Sequence, residues 1–174
     1  MKKAAERTED YPFSKKTLFC VFGYIKEKIL RYERLLSAVD FYYNPPRGSS
    51  YAGIFVIEEK IKEIIDEYQK DGAGSFCFKK EKEELKRLET KRENVVNKNE
   101  DLPFRSREEL RIIERQEEIL ESWLIIAAGY CFSKRNIYKT ILAEVEEGMS
   151  RDKAYRGIFH FEYLKKIIKE MEGK

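Results

Sequence analysis

Histidine is almost missing from this 174-residue chain, where His160 stands alone. A histidine-rich metal site and a two-histidine acid–base pair are therefore both excluded. Cysteine is nearly as scarce: Cys20, Cys77 and Cys131 are odd in number, widely spread and form no CxxC pair. That is the pattern of unbonded thiols in a reducing compartment. No apolar run approaches the roughly 20 residues that cross a bilayer, the longest being Trp123 to Ala128. The opening Met1-Lys2-Lys3-Ala4-Ala5-Glu6-Arg7 leads into acidic Glu9 and Asp10, and so carries no secretory signal. A cytoplasmic protein with no membrane contact is the expectation. Only 4 prolines and 9 glycines interrupt the chain, against 42% hydrophobic residues, which excludes wholesale disorder.

What is abundant is charge, at 39% of residues, with 22 tyrosines and phenylalanines to fill a core. The length suits one globular unit plus an extension. The net charge of +3 hides an asymmetry. Residues 1–50 hold 10 basic and 6 acidic groups, 51–133 hold 15 and 19, and 134–174 hold 10 and 7. Basic ends around an acidic middle permit nucleic-acid contact by the ends, while the small total does not demand it.

Apolar periodicity predicts an all-α helical bundle of long, amphipathic, coiled-coil-like helices. From Ser14 as N-cap, Leu18, Phe22, Ile25, Ile29, Tyr32, Leu36, Val39 and Tyr43 recur at steps of four and three, the stripe of a long helix in a bundle or at a dimer seam. Asn44-Pro45-Pro46-Arg47-Gly48 ends it. Ile54, Ile57, Ile61, Ile64 and Tyr68 mark a second helix, antiparallel to the first, which Asp71-Gly72-Ala73-Gly74-Ser75 breaks. A third, over 77–96, places Phe78, Leu85, Leu88 and Val95 among charged residues. So thin a stripe predicts a helix on the outside or an arm. Residues 97–105 read as a linker between an N-terminal helical part, 1–96, and a C-terminal part, 106–174. Ser106 and Glu109 form a capping box for a fourth helix, in which Trp123 to Ala128, apolar on all sides, predicts the deepest burial. A fifth helix spans Arg135 to Glu147. Gly148 is read as its stop and Ser150 as the N-cap of a sixth.

The stretch from Ile141 to Arg156 looks like a helix-turn-helix: Ala143 inside the first helix, Gly148 opening the turn, Met149 pinning it and Ser150 capping the second. In that unit Ser150, Arg151, Lys153 and Arg156 stand at the start of the reading helix, where they reach bases or phosphates of double-stranded DNA. Glu144, Glu146 and Glu147 precede the turn and oppose phosphate if they face it. The same residues also suit a plain bundle turn. The start Phe13-Ser14-Lys15-Lys16-Thr17 before a long helix, a glycine-containing turn, charged helices and this C-terminal unit together resemble late-gene transcription activators of Gram-positive phages, the ArpU/RinA type. The resemblance implies a phage-encoded regulator that binds promoter DNA, with RNA polymerase as a protein partner. A homodimer through the N-terminal helices would suit paired half-sites. No catalytic residue, cofactor or metal is expected. The competing expectation is a non-enzymatic helical inhibitor or adaptor that acts by protein–protein contact.

Other signals carry less. Arg156 and His160 are one residue short of the R-x4-6-H signature of HEPN ribonucleases. Gly72-Ala73-Gly74-Ser75 lacks the preceding strand and the Gly-Lys-Ser/Thr of a phosphate loop. The lysines and arginines of 79–92 are matched by glutamates, as in a solvated helix face. Phe41-Tyr42-Tyr43 suit the junction of two helices.

Overall fold

Ser14 does at the first helix what its position predicts. In the computed structural model, which describes residues 14–49, 53–72, 78–99, 103–150 and 161–173, the amide of Thr17 donates to Ser14 Oγ at 3.1 Å. One of the donors left open at a helix start is thereby satisfied. The helix it begins, α1, runs Lys15–Tyr43 and stops short of Pro45. Gly48, at φ +84°, adopts the left-handed conformation in the turn that follows. A 3-10 turn, Ile54–Ile57, leads directly into α2, Glu58–Lys70. Gly72 at φ +62° follows it, and α3 occupies Lys79–Lys98. Ser106 Oγ accepts the amide of Glu109 at 3.1 Å and opens α4, Arg107–Ser150; α5 is Phe161–Glu172. The fold is all-α, with no strand among the described residues. The capping box is half formed, because the Glu109 carboxylate faces Arg105 at 3.7 Å and Arg92 at 3.9 Å.

Helix α4 corrects two expected breaks. It holds 44 residues without interruption, about 66 Å at 1.5 Å per residue. No proline lies within it, and a glycine inside a helix costs only about 1 kcal/mol. Burial of Tyr130 and Cys131 just beyond Gly129 offsets that cost. Gly148 lies inside the same helix, buried, and is not among the described glycines with positive φ. The tight turn expected at Gly148-Met149-Ser150 is thus absent: the good helix formers from Ala143 to Glu147 carry the helix through. Ala143, expected to admit a crossing helix, is exposed.

Two compact units divide the chain, Met1–Glu33 with Ser133–Lys174, and Arg34–Phe132. The division falls inside α1 and α4, not at the polar segment 97–105. In the first unit Leu18, Val21, Ile25, Ile29 and Tyr32 of α1 are buried together with Tyr138, Ile141 and Val145 of α4 and Leu164 and Ile167 of α5. Tyr32 stacks on Tyr138 with centroids 5.9 Å apart, and Tyr138 meets Tyr163 edge-on at 6.1 Å. Tyr24 donates to Glu170 at 3.2 Å, and Lys139 pairs with Glu33 at 2.7 Å. Of the two settings expected for the α1 stripe, a bundle or a dimer seam, this part of it is buried in the bundle.

In the second unit α3 takes the first of the two expected forms, a helix on the outside with a thin buried stripe, and is no projecting arm. Phe78, Leu85 and Val95 are buried, and the charged flanks reach neighbouring helices. Lys82 pairs with Asp66 of α2 at 2.5 Å; Arg115 of α4 donates to Glu84 at 2.8 Å; Lys91 pairs with Glu108 at 3.1 Å. Trp123 sits edge-on to Phe78 at 5.7 Å and its indole N–H donates to Glu81. Tyr68 stands edge-on to Phe78 and Tyr130, and the Tyr130 hydroxyl donates to Asp71 at 2.7 Å. Of the run expected to be deepest, Trp123, Leu124 and Ala127 are buried while Ile125 is 65% exposed. A helix has one buried stripe, and the core takes only that face of an all-apolar segment.

Candidate nucleic-acid interface

The charge asymmetry along the sequence carries over to the two units. Residues 1–33 and 133–174 hold 18 basic and 12 acidic groups, a net +6, while 34–132 hold 17 and 20, a net −3. An excess of positive charge on one compact body attracts polyanions over about a Debye length, roughly 8–10 Å at moderate salt. The positive unit contains every residue expected to read DNA.

Of those residues, Ser150 is the last described residue of α4. Its hydroxyl donates to the Glu147 carbonyl at 2.8 Å, the bond of a serine inside a helix and not that of an N-cap. Arg151, Lys153 and Arg156 lie outside the described residues, as does His160, so the arginine–histidine spacing has no geometry to report. Only Gly72 of the glycine-rich segment 72–75 is described.

The sequence-based site does not include the lysines of α5. The period of that helix is strict: Leu164 and Ile167 are buried, whereas Lys165, Lys166 and Lys169 are exposed. Lys165 reaches back to Glu162 at 3.0 Å; Lys166 and Lys169 make no ion pair among the described residues. The signal was present in the 3.6-residue repeat of lysines opposite the apolar stripe. The cations late in α4 are engaged otherwise. Lys134 donates to the Tyr163 hydroxyl at 2.7 Å and lies 5.4 Å from that ring's centroid, and Arg135 reaches Asn136 at 3.3 Å.

In the negative unit three lysines of α2 and α3, Lys62, Lys82 and Lys91, are ion-paired. Burial works to lower the pKa of Lys62, but its hydrogen bond and charge contact with Glu58, and those with Glu89, outweigh it and hold the ammonium above its ordinary 10.5. Those contacts measure 2.7 and 3.3 Å. A cation so held has little charge to offer a phosphate. Of the aromatic cluster, Tyr42 donates to Glu121 at 2.6 Å, and Phe41 and Tyr43 stay exposed. Among the described residues no group of three or more His, Cys, Asp or Glu is placed to hold a metal ion. No described helix is long and apolar enough to cross a membrane.

Comparison of the chain with protein-family models, curated proteins and solved structures finds no match in any of the three.

Proposed function

We propose that this chain is a cytoplasmic, non-enzymatic regulator that binds double-stranded DNA through the unit made of residues 1–33 and 133–174. The observation that carries the reading is the net +6 of that unit against the net −3 of the other. Arg151, Lys153 and Arg156 are the leading cations, joined by Lys166 and Lys169 on the exposed face of α5. With no turn at 148–150, the reading rests on charge and not on helix-turn-helix geometry. Kinship with phage late-gene activators, and polymerase as a second partner, belong to the same proposal.

Salt tests it. If those five cations each neutralise one phosphate, log K falls with log salt at a slope near −4.5, a loss of about 500-fold between 50 and 200 mM. Replacing Arg151 and Arg156 with alanine should cut that loss to about 40-fold. Salt-independent binding, or an unchanged slope in the double variant, refutes the proposal.

A second reading, a helical adaptor acting by protein contact, has its own observation. No charged residue occurs from Trp123 to Phe132, and Ile125 and Phe132 are 65% and 54% exposed. Apolar surface of that kind marks protein contact sites when it is contiguous. Duplex binding that survives Ile125→Asp separates the two readings.

A further inference from the structure

Ser122, Ile125, Gly129 and Phe132 follow one another along α4 and are all exposed. Their spacing of three, four and three keeps them on one face of the helix, with Ile125 and Phe132 two turns apart. No charged residue occurs from Ser122 to Ser133, in a chain where charge makes up 39%. The comparable pair on α1, Phe19 and Leu30, has Lys26 and Glu27 exposed between its members. The α4 stripe has no such interruption.

Two features fit this stripe to its own copy. The first is symmetry. Ala128 and Gly129 lie midway between Ile125 and Phe132, and a Cβ at Gly129 would meet nothing within 4 Å, so a hollow separates two large side chains. A twofold axis through the hollow sets Ile125 of each chain beside Phe132 of the other, as an isologous contact requires.

The second feature is the order of charge. Before the uncharged run, residues 114–121 hold Glu114, Glu117, Glu118 and Glu121 against Arg115, a net −3; after it, 134–141 hold Lys134, Arg135 and Lys139 and no acid, a net +3. The Lys139 side chain stays 52% exposed even with Glu33 at 2.7 Å. Two copies laid antiparallel bring acid to base at both ends, whereas a parallel pair would set acid on acid.

We propose that this face of α4 binds a second copy of the chain, with the two α4 helices antiparallel and the twofold axis near Ala128. A foreign partner would need an apolar stripe of the same length with the reverse order of charge, and the chain itself supplies both. None of the five cations assigned to DNA takes part, so the inference does not rest on that reading.

Sedimentation equilibrium of the full chain, without DNA, tests it. In 50 mM salt the mass should rise from one chain to two as concentration increases, and dimerisation should weaken in 500 mM salt as screening strengthens. Ile125→Asp should raise the dissociation constant at least about 30-fold, as loss of an interface anchor does. Ile125→Ala, which adds no charge, should raise it about tenfold and serves should the aspartate variant fold poorly. Glu118→Lys should weaken the dimer in 50 mM salt and change it little in 500 mM. Lys166→Ala with Lys169→Ala should leave it unaltered, which separates failure of the DNA reading from failure of this one. A chain that keeps the mass of one copy up to about 1 mM, where even millimolar affinity shows, overturns the proposal and leaves the face to a different protein. A dimer indifferent to Ile125→Asp, or one that tightens as salt rises, overturns it equally.

Discussion

Replacing Gly129 with alanine asks whether α4 is one helix. At Gly129 a Cβ would meet nothing within 4 Å, so the methyl group neither clashes nor gains contacts. What remains is intrinsic helix propensity, worth about 0.8–1 kcal/mol in favour of alanine. For a chain of this size that corresponds to a rise of about 2–4 °C in melting temperature. The urea midpoint should rise by about 0.5 M if the slope is near 2 kcal/mol/M. If the chain instead broke here with a left-handed glycine, as at Gly48 and Gly72, the same alanine would cost about 1–2 kcal/mol. The sign alone therefore decides. Gly129→Pro supplies the contrast, because proline removes an amide donor and clashes one turn back, at about 3 kcal/mol or more. A lowered urea midpoint for Gly129→Ala would refute a continuous α4.

Ser106→Ala removes the acceptor for the Glu109 amide and should lower stability by about 1 kcal/mol, read as a fall in urea midpoint, with Ser106→Asn largely restoring it. The Arg115 hydrogen bond holds the Glu84 carboxyl below its ordinary 4.5. A carboxyl depressed in the folded state stabilises it above about pH 4.5, and that contribution is lost as pH falls through the folded value. Both side chains are more than a third exposed, so screening limits the gain to a few tenths of a kcal/mol at most. Glu84→Gln should flatten the stability profile below about pH 4.5, and the difference from the parent should shrink in 0.5 M salt.

Periodicity located the helices because it reports which face meets a core, and not what the core is made of. On α1 the expected Leu18, Ile25, Ile29 and Tyr32 are buried, while Val21 and Leu35 replace Phe22 and Leu36. Such one-residue shifts follow from which neighbours the helix packs against. On α3 three of the four expected apolar positions are buried, yet the thin stripe leaves open whether the helix packs on the outside or projects. Its partners, Trp123 and Arg115, stand far along the chain, and local pattern carries no information about them. Gly148 is the glycine whose expected stop the helix runs through. A glycine ends a helix only where the backbone turns left-handed, and residues on both sides decide that. The candidate site suffered most, since the assignment of Ser150 as a cap rested on the same glycine. The lysine face of α5 was legible in the sequence and was passed over in favour of a motif.

The charges of this protein have two different jobs, and the distinction governs how a charge change should be interpreted. In the negative unit four cations tie helices together: Lys62 to Glu89, Lys82 to Asp66, Lys91 to Glu108 and Arg115 to Glu84. Removing one there perturbs the packing of α3 between α2 and α4, so lost binding to any partner would be confounded with lost stability. In the positive unit Lys166 and Lys169 lie on the exposed face of a helix whose other face is packed, and truncating them takes away charge with little else. Phosphate contacts set affinity and position but carry no sequence information directly. Neutralising these lysines should thus weaken binding to every duplex alike, and any change in preference between sequences must arise from side chains that reach the base edges.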